Sequence, residues 1–122
     1  MDPVTHSEPR TVSGDQLAAV TNGIVQLFSE YYGRGPTKAK SYLLDEHYLI
    51  CILHDTMTTV EQTLAARGKG SMVREVRLTF QEAMADSFIA VVEQATGRPV
   101  LSYHSQLTLD PDVGFEFFLL GN

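Results

Sequence analysis

The sequence predicts an α+β domain in which two hairpins form a four-stranded antiparallel sheet and a long helix packs across one face. Three observations predict it. Apolar residues recur at steps of three and four over 72–97. Pairs of short, alternating segments flank that stretch, at 38–54 and 99–120. A further helical period occupies 13–32, ahead of the first pair. The predicted order is α-ββ-αα-ββ.

The long helix is the central element. Val73, Val76, Phe80, Met84, Phe88, Val91 and Ala95 draw one stripe, with Glu75, Glu82, Asp86 and Glu93 off it. Ser71 is the predicted cap, since its hydroxyl is able to accept a backbone N–H of the first turn. Gly97 suits a left-handed stop, and Pro99 prevents continuation. About 25 residues at ~1.5 Å each make a rod of roughly 38 Å, against a diameter of about 35 Å for a compact chain of this length.

The remaining elements follow in order. Residues 1–12 are polar with two prolines and read as a flexible N-terminal tail; 13–122 read as a single domain. Ser13 with Gln16 fits a capping box, and Leu17, Val20, Ile24, Leu27 and Tyr31 give a helix over 15–32. Gly23 inside it costs about 1 kcal/mol against alanine or permits close packing. Gly33-Arg34-Gly35-Pro36 stops the helix. Residues 38–44 alternate, Asp45-Glu46 interrupts without the usual turn glycine, and 47–54 follow as a strand apolar on both faces. Thr58 with Glu61 is a second capping box, opening a short helix over 59–67 that ends at Gly68. After the long helix, Leu101, Tyr103, Leu107 and Leu109 share one strand face, opposite Val100, Ser102, His104, Gln106 and Thr108. Asp110-Pro111-Asp112 turns the chain into a last strand, with Phe115, Phe117 and Leu119 opposite Glu116, Phe118 and Leu120.

Composition excludes several classes. One cysteine rules out an internal disulfide, and Cys51 in an apolar run reads as a core thiol in a reducing, cytoplasmic setting. The net charge of -6 makes nucleic acid a poor partner. No apolar run approaches the ~20 residues a membrane helix needs, so direct membrane insertion is not expected. The N-terminus, with Asp2, Pro3 and Glu8, lacks a signal-peptide core. No cofactor or metal signature is present: His47 and His54 stand about 23 Å apart along one strand. Apolar strand surface beyond what one helix layer covers calls for a second subunit, or the first helix, on the other face, and a homodimer is the favoured reading.

The candidate ligand-binding residues are Gly33, Arg34, Gly35, Lys38, Lys40, Arg74, Arg77 and His104. A glycine-rich turn exposes N–H groups, and adjacent cations suit phosphate, carboxylate or bicarbonate. The competing explanation is a helix stop followed by a strand with two solvated lysines. The Gly-Lys-Ser/Thr ending of a phosphate-binding loop is missing. Arg74 and Arg77 oppose the dipole of the long helix, so each calls for a partner: Glu61, Glu75 or an anion held with the Gly33 turn. His104 is placed as a general base, a pH-sensitive contact or a half-buried sheet histidine. No complete catalytic set appears, so the expectation leans away from an enzyme.

Several pieces together resemble one known family. They are Gly33-Arg34-Gly35-Pro36 with Lys38 and Lys40, the strand pair over 43–53, and Thr58 to Leu64 containing Glu61. Arg74-Glu75-Val76-Arg77 with Phe80, Thr96-Gly97 before Val100, and His104-Ser105 before a phenylalanine-rich strand continue the pattern. In this order they resemble the MpsC-like family of small bacterial proteins over 15–120. The resemblance implies a cytoplasmic accessory protein near a Na+-translocating, membrane-potential-generating system, reaching a membrane transport complex through a protein partner, with no established reaction.

Overall fold

The computed structural model describes residues 11–122. Among them the elements run α1 (Gly14–Tyr32), β1 (Lys38–Leu44), β2 (Tyr48–His54), α2 (Thr59–Ala66), α3 (Gly70–Thr96), β3 (Val100–Thr108) and β4 (Val113–Leu120). This is the predicted α+β order. The four strands form one sheet, β1-β2-β4-β3, antiparallel throughout. The two hairpins join through β2 and β4, which places the two most apolar strands at the centre. Of the predicted tail, residues 1–10 lie outside the described residues. Thr11 and Val12 have no regular structure, and Val12 packs against the core.

Both capping boxes form. The Ser13 hydroxyl accepts the Gln16 N–H at 3.1 Å, and the Gln16 side chain accepts the Ser13 N–H at 2.8 Å. Thr58 and Glu61 repeat the arrangement at the start of α2. Gly33 and Gly97 end α1 and α3 with φ of 78° and 70°. Tyr31 departs from its predicted inward position and is exposed. Val20, Ile24 and Phe28 make the buried line of α1 instead, at strict steps of four.

Gly23 serves close packing. A Cβ there would stand 2.5 Å from Val91 Cγ1 of α3. Val91 is β-branched and has little rotamer freedom in a helix, so the two helices would have to part. Gly23→Ala is therefore expected to destabilise the fold by about 1–3 kcal/mol despite alanine's better helix propensity. A thermal melt checks this; an unchanged or raised midpoint would show that α1 and α3 do not approach here.

The long helix is unbroken but starts earlier than predicted. Ser71 is not its cap: the helix begins at Gly70, with Lys69 at the cap position and no side-chain bond. The Lys69 carbonyl already accepts the Met72 and Val73 N–H groups, so the helical ladder is under way before Ser71. The buried line also shifts. Val76 is 62% exposed, while Val73, Arg77, Gln81, Phe88, Val92 and Thr96 are buried. Phe80, Met84, Val91 and Ala95 are partly buried against the core. The buried line thus runs through an arginine and a glutamine that hydropathy assigns to water.

Two strand details also depart from expectation. Leu101 is 64% exposed, because a bulge between Val100 and Ser102 displaces it from the Tyr103 and Leu107 face. The first hairpin turns without glycine: Asp45 and Glu46 take φ of 49° and 61°, and the His47 N–H reaches the Leu44 carbonyl. Such angles disfavour residues with a Cβ. Arg98, 1% exposed, braces this turn. It donates to the Glu46 carbonyl at 2.6 Å and to the Gly121 carbonyl at 2.7 Å, tying the turn to the chain after β4.

Candidate functional site

The helices cover one face of the sheet. Its register rows are Ala39–Leu53–Gly114–Leu107, Ser41–Cys51–Glu116–Ser105 and Leu43–Leu49–Phe118–Tyr103. The other face has no layer over it among the described residues. Its rows are Lys38–His54–Val113–Thr108, Lys40–Ile52–Phe115–Gln106, Tyr42–Ile50–Phe117–His104 and Leu44–Tyr48–Leu119–Ser102. Tyr42, Leu44, Tyr48 and Phe115 are exposed there. Tyr48 stacks on Phe117 at 6.4 Å between centroids, and His104 lies against the same ring at 6.2 Å. The centre of this face is apolar, its lysines, Ser102, His104, Gln106 and Thr108 sit on the two edge strands with His54 at one end of β2, and no Asp or Glu occurs in its rows.

Beneath the helices the middle row is polar. Glu116 is 1% exposed, and its two carboxylate oxygens accept the Tyr103 and Ser105 hydroxyls, one each. Burial pushes its carboxyl up to about 7; the two hydroxyls and the more distant Arg77 charge pull it back only partway. Burial and the adjacent Glu116 together raise the Tyr103 phenol well above its usual range. Ser41 closes the row by bonding Thr21 of α1 at 2.6 Å. Burial also lifts the Cys51 thiol to about 11, which leaves it an inert core group. Glu116 is thus a carboxyl able to change its proton near neutral pH inside the core.

A second polar centre joins the helices. Arg77, 2% exposed, forks onto Glu61 with Nε to Oε2 and Nη2 to Oε1 both at 2.7 Å. Nη2 also donates to the Thr56 carbonyl at 2.8 Å, and the guanidinium lies 3.9 Å from the Tyr32 ring centroid. Burial works against both charges, yet the paired hydrogen bonds prevail: Glu61 is held below its usual range and Arg77 above its own. Burial lifts Tyr32 to about 12. Asp112 completes the centre by accepting the Thr56 and Met57 N–H groups at 3.2 and 2.9 Å.

The predicted ligand-binding residues fall into separate places. Arg34 donates to the Met57 carbonyl at 3.2 Å, one residue from the carbonyl that Arg77 uses. The Gly33 turn and Arg77 therefore meet at the loop before α2, but Glu61 fills the Arg77 fork. Gly35 is tight, since a Cβ there would stand 2.7 Å from Ser29 Oγ. Lys38 and Lys40 project from β1 on the open face, Lys40 Nζ lying 5.2 Å from the Tyr42 ring. Arg74 is exposed on α3, and His104 is exposed on β3. Sequence reasoning singled out neither Glu116 nor Arg98. Glu116 carried one legible signal, a lone carboxylate in phase with Phe118 and Leu120.

Among the described residues, no group of three or more His, Cys, Asp or Glu is placed to hold a metal ion. No helix of them is long and apolar enough to cross a membrane. Among the described residues the arrangement is a two-layer α+β domain, with helices over one sheet face and none over the other. A family model described as "Na+-translocating membrane potential-generating system (MpsC)" matches residues 14–122, and the chain belongs to this family. No curated protein and no solved structure matches it.

Proposed function

We propose that this MpsC-family chain is a non-enzymatic accessory or regulatory protein of a Na+-translocating, membrane-potential-generating system. In this reading it works in the cytoplasm, as a homodimer closed through the open sheet face, and reaches the membrane complex through a protein partner. The observation that carries the dimer is the distribution of side chains on that face. An apolar centre with a polar rim is the anatomy of a protein interface. Four strands about 4.8 Å apart and seven residues of about 3.4 Å span roughly 19 by 24 Å, or about 450 Å² taken flat. Two such faces give about 900 Å² before side-chain relief, which approaches the ~1,000 Å² that a specific interface needs. The anion-binding alternative has less support, because Arg77 is engaged by Glu61 and the two lysines belong to the open face.

Size-exclusion chromatography with light scattering tests the dimer. The native chain is expected at twice its monomer mass at micromolar concentration. Ile50→Glu and Phe117→Glu, each in the centre of the face, are expected to give folded monomers. A native chain that runs as a clean monomer would overturn the dimer.

A further inference from the structure

A groove of about 440 Å³ follows β3 along the edge of the sheet. It is lined by four consecutive residues of that strand. Tyr103 and Ser105 belong to the helix-covered face, and His104 and Gln106 to the open face. A cavity that takes residues from both sides of one strand runs around the strand's free edge. Among the described residues β4 is the only strand paired with β3, and alternate N–H and C=O groups over 103–106 point away from the sheet. Those residues make no other backbone hydrogen bond among the described residues.

Gln81 of α3 lines the same groove. It is only 9% exposed, and its amide has no hydrogen-bond partner among the described residues. The amide reaches the groove and presents both a donor and an acceptor to it. The remaining wall is apolar on the open side, where Phe115 and Phe117 reach the edge, and acidic at the lip, where Glu82 is exposed.

We propose that β3 accepts an extended, basic peptide segment of a partner protein as a fifth strand, with the Gln81 amide bonding to it under α3. A strand is the occupant that supplies what this site lacks. Its backbone completes the ladder, and its side chains alternate between the Gln81 side and the phenylalanine side. A Ser, Thr or Asn side chain meets the Gln81 amide; an apolar one covers Phe117. The basic character follows from charge: the groove lining holds Glu82 and no Lys or Arg, and the whole chain carries -6. A second copy of β3 would bring another Glu82 and another -6 to the same edge. Phe115 and Phe117 belong to the open face as well, so the peptide covers Phe117 in the monomer and holds the β3 edge and the Gln81 side where that face pairs.

Panning the full chain with a displayed library of random peptides about ten residues long tests this. Enriched sequences are expected to alternate apolar and polar residues and to carry Lys or Arg. A synthetic peptide of the leading sequence is expected to slow amide hydrogen exchange within 103–106. Gln81→Ala is expected to weaken its binding about fivefold, and Glu82→Lys, on the exposed lip, about tenfold. Any of four results would overturn the proposal: no enrichment, protection confined to other strands, binding indifferent to both substitutions, or β3 protection that grows with protein concentration in the absence of peptide. The last result would assign the edge to a second copy.

Discussion

Arg77→Ala is expected to lower the unfolding free energy by about 3–5 kcal/mol and the melting midpoint by roughly 10–20 °C. The substitution does more than remove a contact. Glu61, with its side chain 12% exposed, would keep its charge and lose both arms of the guanidinium fork. Its carboxylate would retain the Thr58 N–H at 2.9 Å as its backbone partner. The Thr56 carbonyl would lose its 2.8 Å donor, and the Tyr32 ring the cation over its face. A partly buried charge left in that state is costly. Glu61→Gln combined with Arg77→Met removes both charges and keeps most of the volume. The pair is expected to cost less than the sum of the single changes, which a double-mutant cycle in urea measures. An Arg77→Ala loss below about 1 kcal/mol would mean that the fork contributes little to stability. The guanidinium would then be free for an anion, and the binding alternative would regain its strongest residue.

Glu116 is expected to make the fold less stable as pH rises from about 5 to 8. The sign follows from linkage. Its carboxyl is pushed up to about 7 in the folded chain, against an ordinary glutamate value of 4.5. Between those values the folded state holds a proton that the unfolded state has released, so stability falls with rising pH. This contribution is fully present below the unfolded value and is lost as pH passes the folded one. The total is on the order of 3 kcal/mol for a shift of this size. Glu116→Gln keeps the side-chain shape, and its amide is able to pair with the Tyr103 and Ser105 hydroxyls. The variant is expected to flatten the profile and to exceed the native chain by about 1–2 kcal/mol at pH 8. Urea midpoints at several pH values read the difference between the two proteins. Glu61 titrates with the opposite sign below this window, so the comparison above pH 5 isolates Glu116. A native-minus-variant difference that does not change with pH would show that Glu116 stays charged in the core.

The two centres behind these predictions were unequally legible. A pairing of Arg77 with Glu61 was an open option, because a cation near a helix N-terminus calls for a partner. Its burial was not legible. Hydropathy assigns arginine to water, and the groups that enclose it come from Tyr32, Thr56 and Glu61, which lie on other elements. Glu116 was placed on one strand face with Phe118 and Leu120 and was not singled out. The two hydroxyls that hold it sit on β3, and the chain cannot show that pairing before the hairpin closes. The excess apolar strand surface was legible as a quantity. Which face would remain bare was not, since β2 is apolar on both sides and only the direction in which the helices pack decides.

Local chemistry was sufficient in this chain to set the kind and order of the elements. Capping boxes, left-handed glycines and hydropathic periods act within a few residues of themselves, and those signals survive in the primary structure. Packing alone decided which side of α3 faces inward, where Leu101 turns out of the sheet, and how Arg77 and Glu116 are satisfied. Those outcomes depend on desolvation and hydrogen bonds between groups far apart in the chain, and such bonds exist only once the layers have come together.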